Sequence, residues 1–227
     1  GFTAFLGGNI TVSPLTFLEK TSEKTPVVLE LSSWQLADLR GRGTLKPHIA
    51  VITKIVPDHQ NWYGNMESYV ADKRLIYKNQ TAEDFTILDA DGDEKGTGPE
   101  RGGTWGDLFA SETKGTVLRY SKTRLPQDIS GAWQENNGTS FTGKVQLPGN
   151  KEETVLTGLS VPGSHMQTNV LNAALVLRLM GVPAQKTADI LGAWQGIPHR
   201  LQFFHEYKPS ATALSFRFYN DSCATVP

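Results

Sequence analysis

The sequence predicts an α/β protein in which a mostly parallel central sheet is flanked by helices and accompanied by a small antiparallel patch. Three observations carry this reading. Residues 27–31 and 49–55 are short apolar, β-branched runs, the pattern of strands buried on both faces of a parallel sheet. Segments with apolar residues at three- and four-residue steps stand among the strand candidates, as helices packed on such a sheet require. Between residues 116 and 156 the chain switches to short alternating segments divided by turn residues, which reads as antiparallel pairing.

Taken in order, residues 66–79 place Tyr69, Lys73, Ile76 and Tyr77 on one helical face. Residues 85–88 form the next strand, ended by Asp89-Ala90-Asp91-Gly92-Asp93, whose acidic and glycine residues suit a turn. Residues 93–115 shift to glycine, threonine and charge and predict a surface excursion. Strands follow at 116–120, 131–135, 140–147 and 153–156, with Asn137-Gly138 as the strongest local hairpin signal. Residues 168–180 carry a helical stripe of Val170, Ala173, Ala174, Leu177 and Met180, stopped by Gly181. A second helix is expected over 183–194. Gly196-Ile197-Pro198 breaks the pattern, and strands are expected at 201–207 and 214–219.

At 227 residues the chain can bury a sizeable core. Its 22 basic and 23 acidic residues give a net charge of −1, which gives no support for a nucleic-acid or membrane-surface partner recruited by bulk charge. The single cysteine, Cys223, cannot form an internal disulfide, and a reducing cytoplasm is the simpler setting. No apolar run approaches the ~20 residues of a bilayer span.

Polar residues cluster just after predicted strands, where open α/β sheets assemble ligand sites. Glu30 ends an apolar strand, where a carboxylate needs a partner or a cation, although it could equally cap the following helix. His59 follows Asp58 and could be a ligand or a hydrogen-bonded core residue. Lys73 on a helix is by composition an ordinary solvated charge. Asn9 after Gly7-Gly8 suits a binding turn or only a turn, Ser32 a contact or a helix cap, and Asn169 a ligand contact or the N-cap of an apolar helix. Arg200 and Asp221 read on their own as surface residues.

The ordered set Gly7-Gly8-Asn9, Glu30-Leu31-Ser32-Ser33-Trp34-Gln35-Leu36, Asp58-His59, Ala71-Asp72-Lys73-Arg74-Leu75-Ile76-Tyr77, Gly163-Ser164-His165-Met166-Gln167-Thr168-Asn169, Pro198-His199-Arg200 and Asn220-Asp221-Ser222 resembles the Mur ligases. Ser-Ser-Trp-Gln-Leu after Glu30 is similar to their D-glutamate-adding branch. The likeness runs through the chain, weakest over about 92–162.

The resemblance implies an ATP- and Mg²⁺-dependent ligase that joins D-glutamate to UDP-N-acetylmuramoyl-L-alanine in peptidoglycan precursor synthesis, with no nucleic-acid partner and no membrane insertion. Residues 1–196 would be the central ATP-binding domain, and 197–227 a linker with the first strands of a Rossmann-like C-terminal domain. No Gly-Lys-Ser/Thr phosphate loop occurs, so a ligase fragment without turnover of its own is expected. By the resemblance Glu30, His59 and a carbamylated Lys73 hold magnesium, and Asn9 and Ser32 face substrate. Asn169 lies at the adenine, Arg200 reaches phosphate and Asp221 the ribose. Cys223 departs from the family pattern, which puts a lysine after Asp221-Ser222; a small buried cysteine is the plain alternative. Another Mur- or folate-type ligase, or a noncatalytic nucleotide-binding module, stays open at this point.

Overall fold

The computed structural model describes residues 3–9, 12–137, 140–210, 212 and 214–223. The chain divides into two compact units, residues 1–86 with 92–117, and residues 87–91 with 118–227.

The first unit opens with β1 (Phe5–Gly8) and β2 (Val27–Glu30), which pair in parallel, Gly8 opposite Glu30, as a two-stranded sheet. This corrects the expected double burial of the second strand: all four of its residues are exposed, Val28 by 51%. Apolar, β-branched composition sets extended backbone, but it does not say what covers the strand. Helix α1 (Ser33–Asp38) follows at once, then β3 (Ile49–Val51), a single-turn α2 (Gln60–Tyr63), and α3 (Met66–Lys73), which tightens into a 3₁₀ turn at Arg74–Tyr77. Strand β3 is shorter than the apolar run that announced it. Helix α3 packs against α1 and buries Tyr69 and Val70, and the buried Tyr77 of the following turn packs on Phe109 with its hydroxyl donating to Glu112 at 2.8 Å.

The expected surface excursion over 93–115 is corrected in its second half. There α4 (Trp105–Glu112) buries Trp105 and Phe109, an i, i+4 pair, almost completely. The glycine-rich loop before it is tied to the helix. The Asp93 carboxylate accepts the Trp105 backbone N–H at 2.7 Å, the Trp105 indole donates to the Thr97 carbonyl at 2.6 Å, and Thr104 caps the helix through the Asp107 N–H at 3.0 Å.

Strands β4 (Phe85–Asp89) and β5 (Thr116–Ser121) precede the second unit's antiparallel strands β6 (Gly131–Asn137), β7 (Ser140–Gln146) and β8 (Glu153–Thr157). The six strands form one sheet in the order β3-β4-β5-β6-β7-β8, within a mixed α/β architecture of the expected class. β5 pairs β6 in parallel and β6, β7 and β8 pair antiparallel, so the antiparallel patch continues the sheet where a patch beside it was expected. The β6–β7 ladder runs to Asn137 opposite Ser140; Gly138 of the expected hairpin turn lies outside the described residues.

Helix α5 (Ser164–Leu179) packs on β6 and β7, and α6 (Ala184–Gly192) on β8. The buried face of α5 is Met166, Val170, Leu171, Ala174 and Leu175. Ala173 and Met180 of the expected stripe are exposed, because their line is rotated from the one that meets the sheet. The unit ends in β9 (Gln202–Tyr207) and β10 (Phe216–Asn220), an antiparallel pair with exposed aromatic side chains. Among the described residues no helix is long and apolar enough to cross a membrane.

Candidate functional site

The site of the first unit is built on the end of β2. Gly8 has φ +120°, and a Cβ there would stand 2.0 Å from the Glu30 carbonyl oxygen, so only glycine lets β1 come this close. The Asn9 backbone N–H then donates to the same carbonyl at 2.7 Å. Glu30 is thus fixed by the Gly7-Gly8-Asn9 turn through its main chain, and its carboxylate stays exposed. The exposed Asn9 keeps its side chain outside this arrangement of backbone bonds.

Immediately after Glu30, Ser32 is the N-cap of α1 in a complete capping box. Its hydroxyl accepts the Gln35 N–H at 3.3 Å, and the Gln35 side chain accepts the Ser32 N–H at 3.0 Å. The cap orients α1 so that Trp34, on its first turn, packs against His59 with ring centroids 4.5 Å apart and planes tilted by 45°.

His59 occupies the left-handed region, φ 52° and ψ 25°, which side chains other than glycine enter at a cost. Asp58 offsets that cost: its carboxylate accepts the His59 backbone N–H at 2.8 Å and approaches the imidazole Nε2 to 3.4 Å. On its other side His59 meets Tyr69 at 6.2 Å, edge to face. Tyr69 lies one helical turn before Lys73, whose ammonium nitrogen rests 4.9 Å above the phenol ring.

Burial pushes the Lys73 amine below the ordinary lysine value, against the opposing pull of the Asp58 and Glu30 carboxylates. Burial likewise pushes the Tyr69 phenol up to about 12, with Asp58 and Tyr63 adding to the shift. Lys73 therefore stands in the field of the two acids, and Glu30, Asp58, His59 and Lys73 form one neighbourhood. Among the described residues no group of three or more His, Cys, Asp or Glu side chains is spaced to hold a metal ion.

Asp58, Trp34 and Tyr69 were absent from the candidate residues read from the sequence. Each carried a signal: Asp58 adjoins His59, Tyr69 precedes Lys73 by four residues, and Trp34 sits inside the motif that follows Glu30.

The remaining candidates lie in the second unit. Asn169 is exposed in the second turn of α5 and does not cap it; the cap position is Gly163. The Asp221 carboxylate accepts the Leu201 N–H at 3.0 Å, and the Cys223 N–H donates to the His199 carbonyl at 2.9 Å. These bonds hold the 199–202 turn, with His199 and Leu201 both at positive φ, against the end of β10, so Arg200 and Asp221 are brought together. Cys223 is exposed, which sets aside the alternative of a small buried cysteine.

A family model described as the Mur ligase middle domain matches residues 8–177. The chain is 35% identical over its whole length to the UDP-N-acetylmuramoylalanine–D-glutamate ligase of Treponema pallidum, covering 51% of that protein. It is 32% identical over 99% of its length to the enzyme of the same name from Streptococcus sanguinis, covering 43% of it. The chain thus spans about half the length of these curated relatives. Among solved structures it resembles a crystal structure of MurF from Acinetobacter baumannii, with TM-score 0.62 and 14% identity over 96% of this chain and 50% of that one. It also resembles the MurF ligase of Thermotoga maritima in complex with ADP, with TM-score 0.55 and 15% identity over 91% of this chain and 51% of that one. With the middle-domain match spanning well over half of its residues, the chain belongs to the Mur ligase family.

Proposed function

We propose that this chain is the central part of an ATP-dependent carboxylate–amine ligase that adds D-glutamate to UDP-N-acetylmuramoyl-L-alanine. The observation that supports it most is the neighbourhood of Glu30, Asp58, His59 and the desolvated Lys73 at the end of β2. The names of the relatives support the substrate pair, and the ADP-bound family structure supports nucleotide binding.

In this reading Lys73 is carbamylated. Its depressed pKa raises the fraction of neutral amine; the nitrogen attacks the carbon of CO₂, one C=O electron pair moves to oxygen, and the amine proton leaves to solvent. The product is an anionic pair of oxygens where a cation stood. Glu30, His59 and the carbamate then make an oxygen-rich set with one imidazole, which fits a hard divalent ion. Magnesium held there would supply charge neutralisation for phosphoryl oxygens. Asp58 holds His59 in its left-handed conformation, and Trp34 and Tyr69 fix the imidazole plane between them. Asn9 and Ser32 border substrate in this reading, while Asn169, Arg200 and Asp221 take the adenine, phosphate and ribose of ATP. The sequence offers no Gly-Lys-Ser/Thr loop, so the 227-residue chain alone is expected to turn nothing over.

The complete polypeptide carrying this chain tests the proposal. With ATP, Mg²⁺, UDP-N-acetylmuramoyl-L-alanine and D-glutamate it should release phosphate in step with amide product, and Lys73→Ala should abolish this with partial rescue by small carboxylates. Phosphate release that depends on a different amino acid would overturn the substrate assignment. Full activity of Lys73→Ala in carboxylate-free and bicarbonate-free buffer would overturn the carbamate.

A further inference from the structure

We propose that Arg40, Asp72 and Tyr63 form a positioning unit that sets how α1, α2 and α3 present Trp34, His59 and Lys73 to one another. Asp72 immediately precedes Lys73 on α3. Successive helical residues point about 100° apart, so one turns toward the site while the other turns into the seam between helices. The Asp72 side chain is only 8% exposed. A carboxylate so placed is tolerated only with partners that satisfy its oxygens.

Both oxygens have one. Oδ1 accepts from the Arg40 guanidinium, which follows the end of α1, and Oδ2 accepts the Tyr63 hydroxyl of α2 at 3.1 Å. Ser33, at the first position of α1, is itself buried. Three helices are therefore linked through one buried acid, and each carries or adjoins a member of the site: Trp34 on α1, His59 directly before α2, Lys73 at the end of α3.

The link reaches His59 through rings. Tyr63 packs against Tyr69 at 5.4 Å, Tyr69 against His59 at 6.2 Å, and His59 against Trp34 at 4.5 Å. With the Tyr63 hydroxyl fixed, Tyr69 has one orientation under the Lys73 nitrogen. With it free, the aromatic row can slide as a set, and misplacements near 1 Å at a reacting centre can cost on the order of 100-fold in rate.

The bearing on catalysis rests on the ligase reading, but the geometry is tested without it. In the metal-free 227-residue chain, NMR of the His59 ring and the Trp34 indole reads their mutual ring-current shielding. Tyr63→Phe keeps the ring and deletes only the hydroxyl, and Asp72→Asn removes the charge. Both should shift the His59 and Trp34 signals more than any signal from residues outside α1, α2 and α3, with the Trp133 indole unmoved as an internal reference.

Arg40→Lys should give a smaller displacement than Arg40→Met, since an ammonium keeps the charge and loses the fork. A mere loss of stability does not move signals of the folded population. Unshifted His59 and Trp34 resonances in folded Tyr63→Phe would overturn the proposal even if Asp72→Asn failed to fold. A ligase-inactive parent with shifted rings would instead count against the function alone.

Discussion

Replacing Gly8 by alanine should unlatch Glu30 from the sheet, and the size of the effect follows from the backbone. The new Cβ would lie 2.0 Å from the Glu30 carbonyl oxygen and 2.9 Å from its carbonyl carbon. Close C···O contacts settle near ~3.3 Å, so the strands must separate locally by roughly 1.3 Å. The Asn9 N–H to Glu30 bond, now 2.7 Å, would then stretch to about 4 Å and be lost, at a cost of ~1 kcal/mol. Holding alanine at φ +120° adds about 1–3 kcal/mol. The total of roughly 2–4 kcal/mol is a large part of the ~5–15 kcal/mol that holds a typical domain, and corresponds to a fall in melting temperature on the order of 10 °C.

Differential scanning calorimetry reads the temperature, and hydrogen exchange at the Asn9 amide reads the bond. Gly41→Ala is the control, since φ there is +74° but a Cβ meets nothing within 4 Å; it should cost only the conformational part. A Gly8→Ala chain with wild-type melting and undiminished Asn9 protection would refute the reasoning.

Ser32→Ala should remove the capping box and lower stability by about 1 kcal/mol, seen as a reduced melting temperature with faster exchange in the first turn of α1. Trp105→Ala should cost about 3–5 kcal/mol in chemical denaturation, the penalty of a core residue. Lys73→Met should raise stability at neutral pH. The folded amine sits below its ordinary value, so the unfolded chain binds the extra proton, and wild-type stability climbs as pH rises from the folded value toward ~10.4. Melts from neutral to alkaline pH should show that climb in the wild type and its absence in the variant. For Asp84, burial pushes the carboxyl up, but bonds from Thr81 and His48 and the nearby Lys46 together hold it below the ordinary value. Its stabilisation is full above the ordinary carboxylate value and lost as pH falls through the folded one, so Asp84→Asn should be less stable at neutral pH and show a shallower acid decline.

Strands β4 and β5 were legible because their apolar residues stand in short, well-bounded runs. Helix α4 was hidden, since the glycines and charges of residues 92–104 dilute any window containing Trp105 and Phe109, and its anchors to Asp93 and Thr97 depend on folding. That Glu30, His59 and Lys73 share one neighbourhood agrees with the order of their motifs, while their roles there remain a proposal. The contribution of Asp58 and the aromatic row was not legible, because ring contacts between Trp34, His59 and Tyr69 join segments that sequence spacing keeps apart. Nothing in the sequence marks Asp72 as buried, since its partner Arg40 stands 32 residues away.

The two-stranded sheet of β1 and β2 has a practical side. Among the described residues each strand pairs with one neighbour, and Leu6, Val27, Val28 and Leu29 all reach solvent. A run such as Val27-Val28-Leu29, extended, uncharged and free of proline, is a template to which another strand can add. At the concentrations used for crystals or spectra, this edge will favour self-association, and a lysine at exposed Val28 is the simplest gatekeeper to keep the chain monodisperse without touching the turn that holds Glu30.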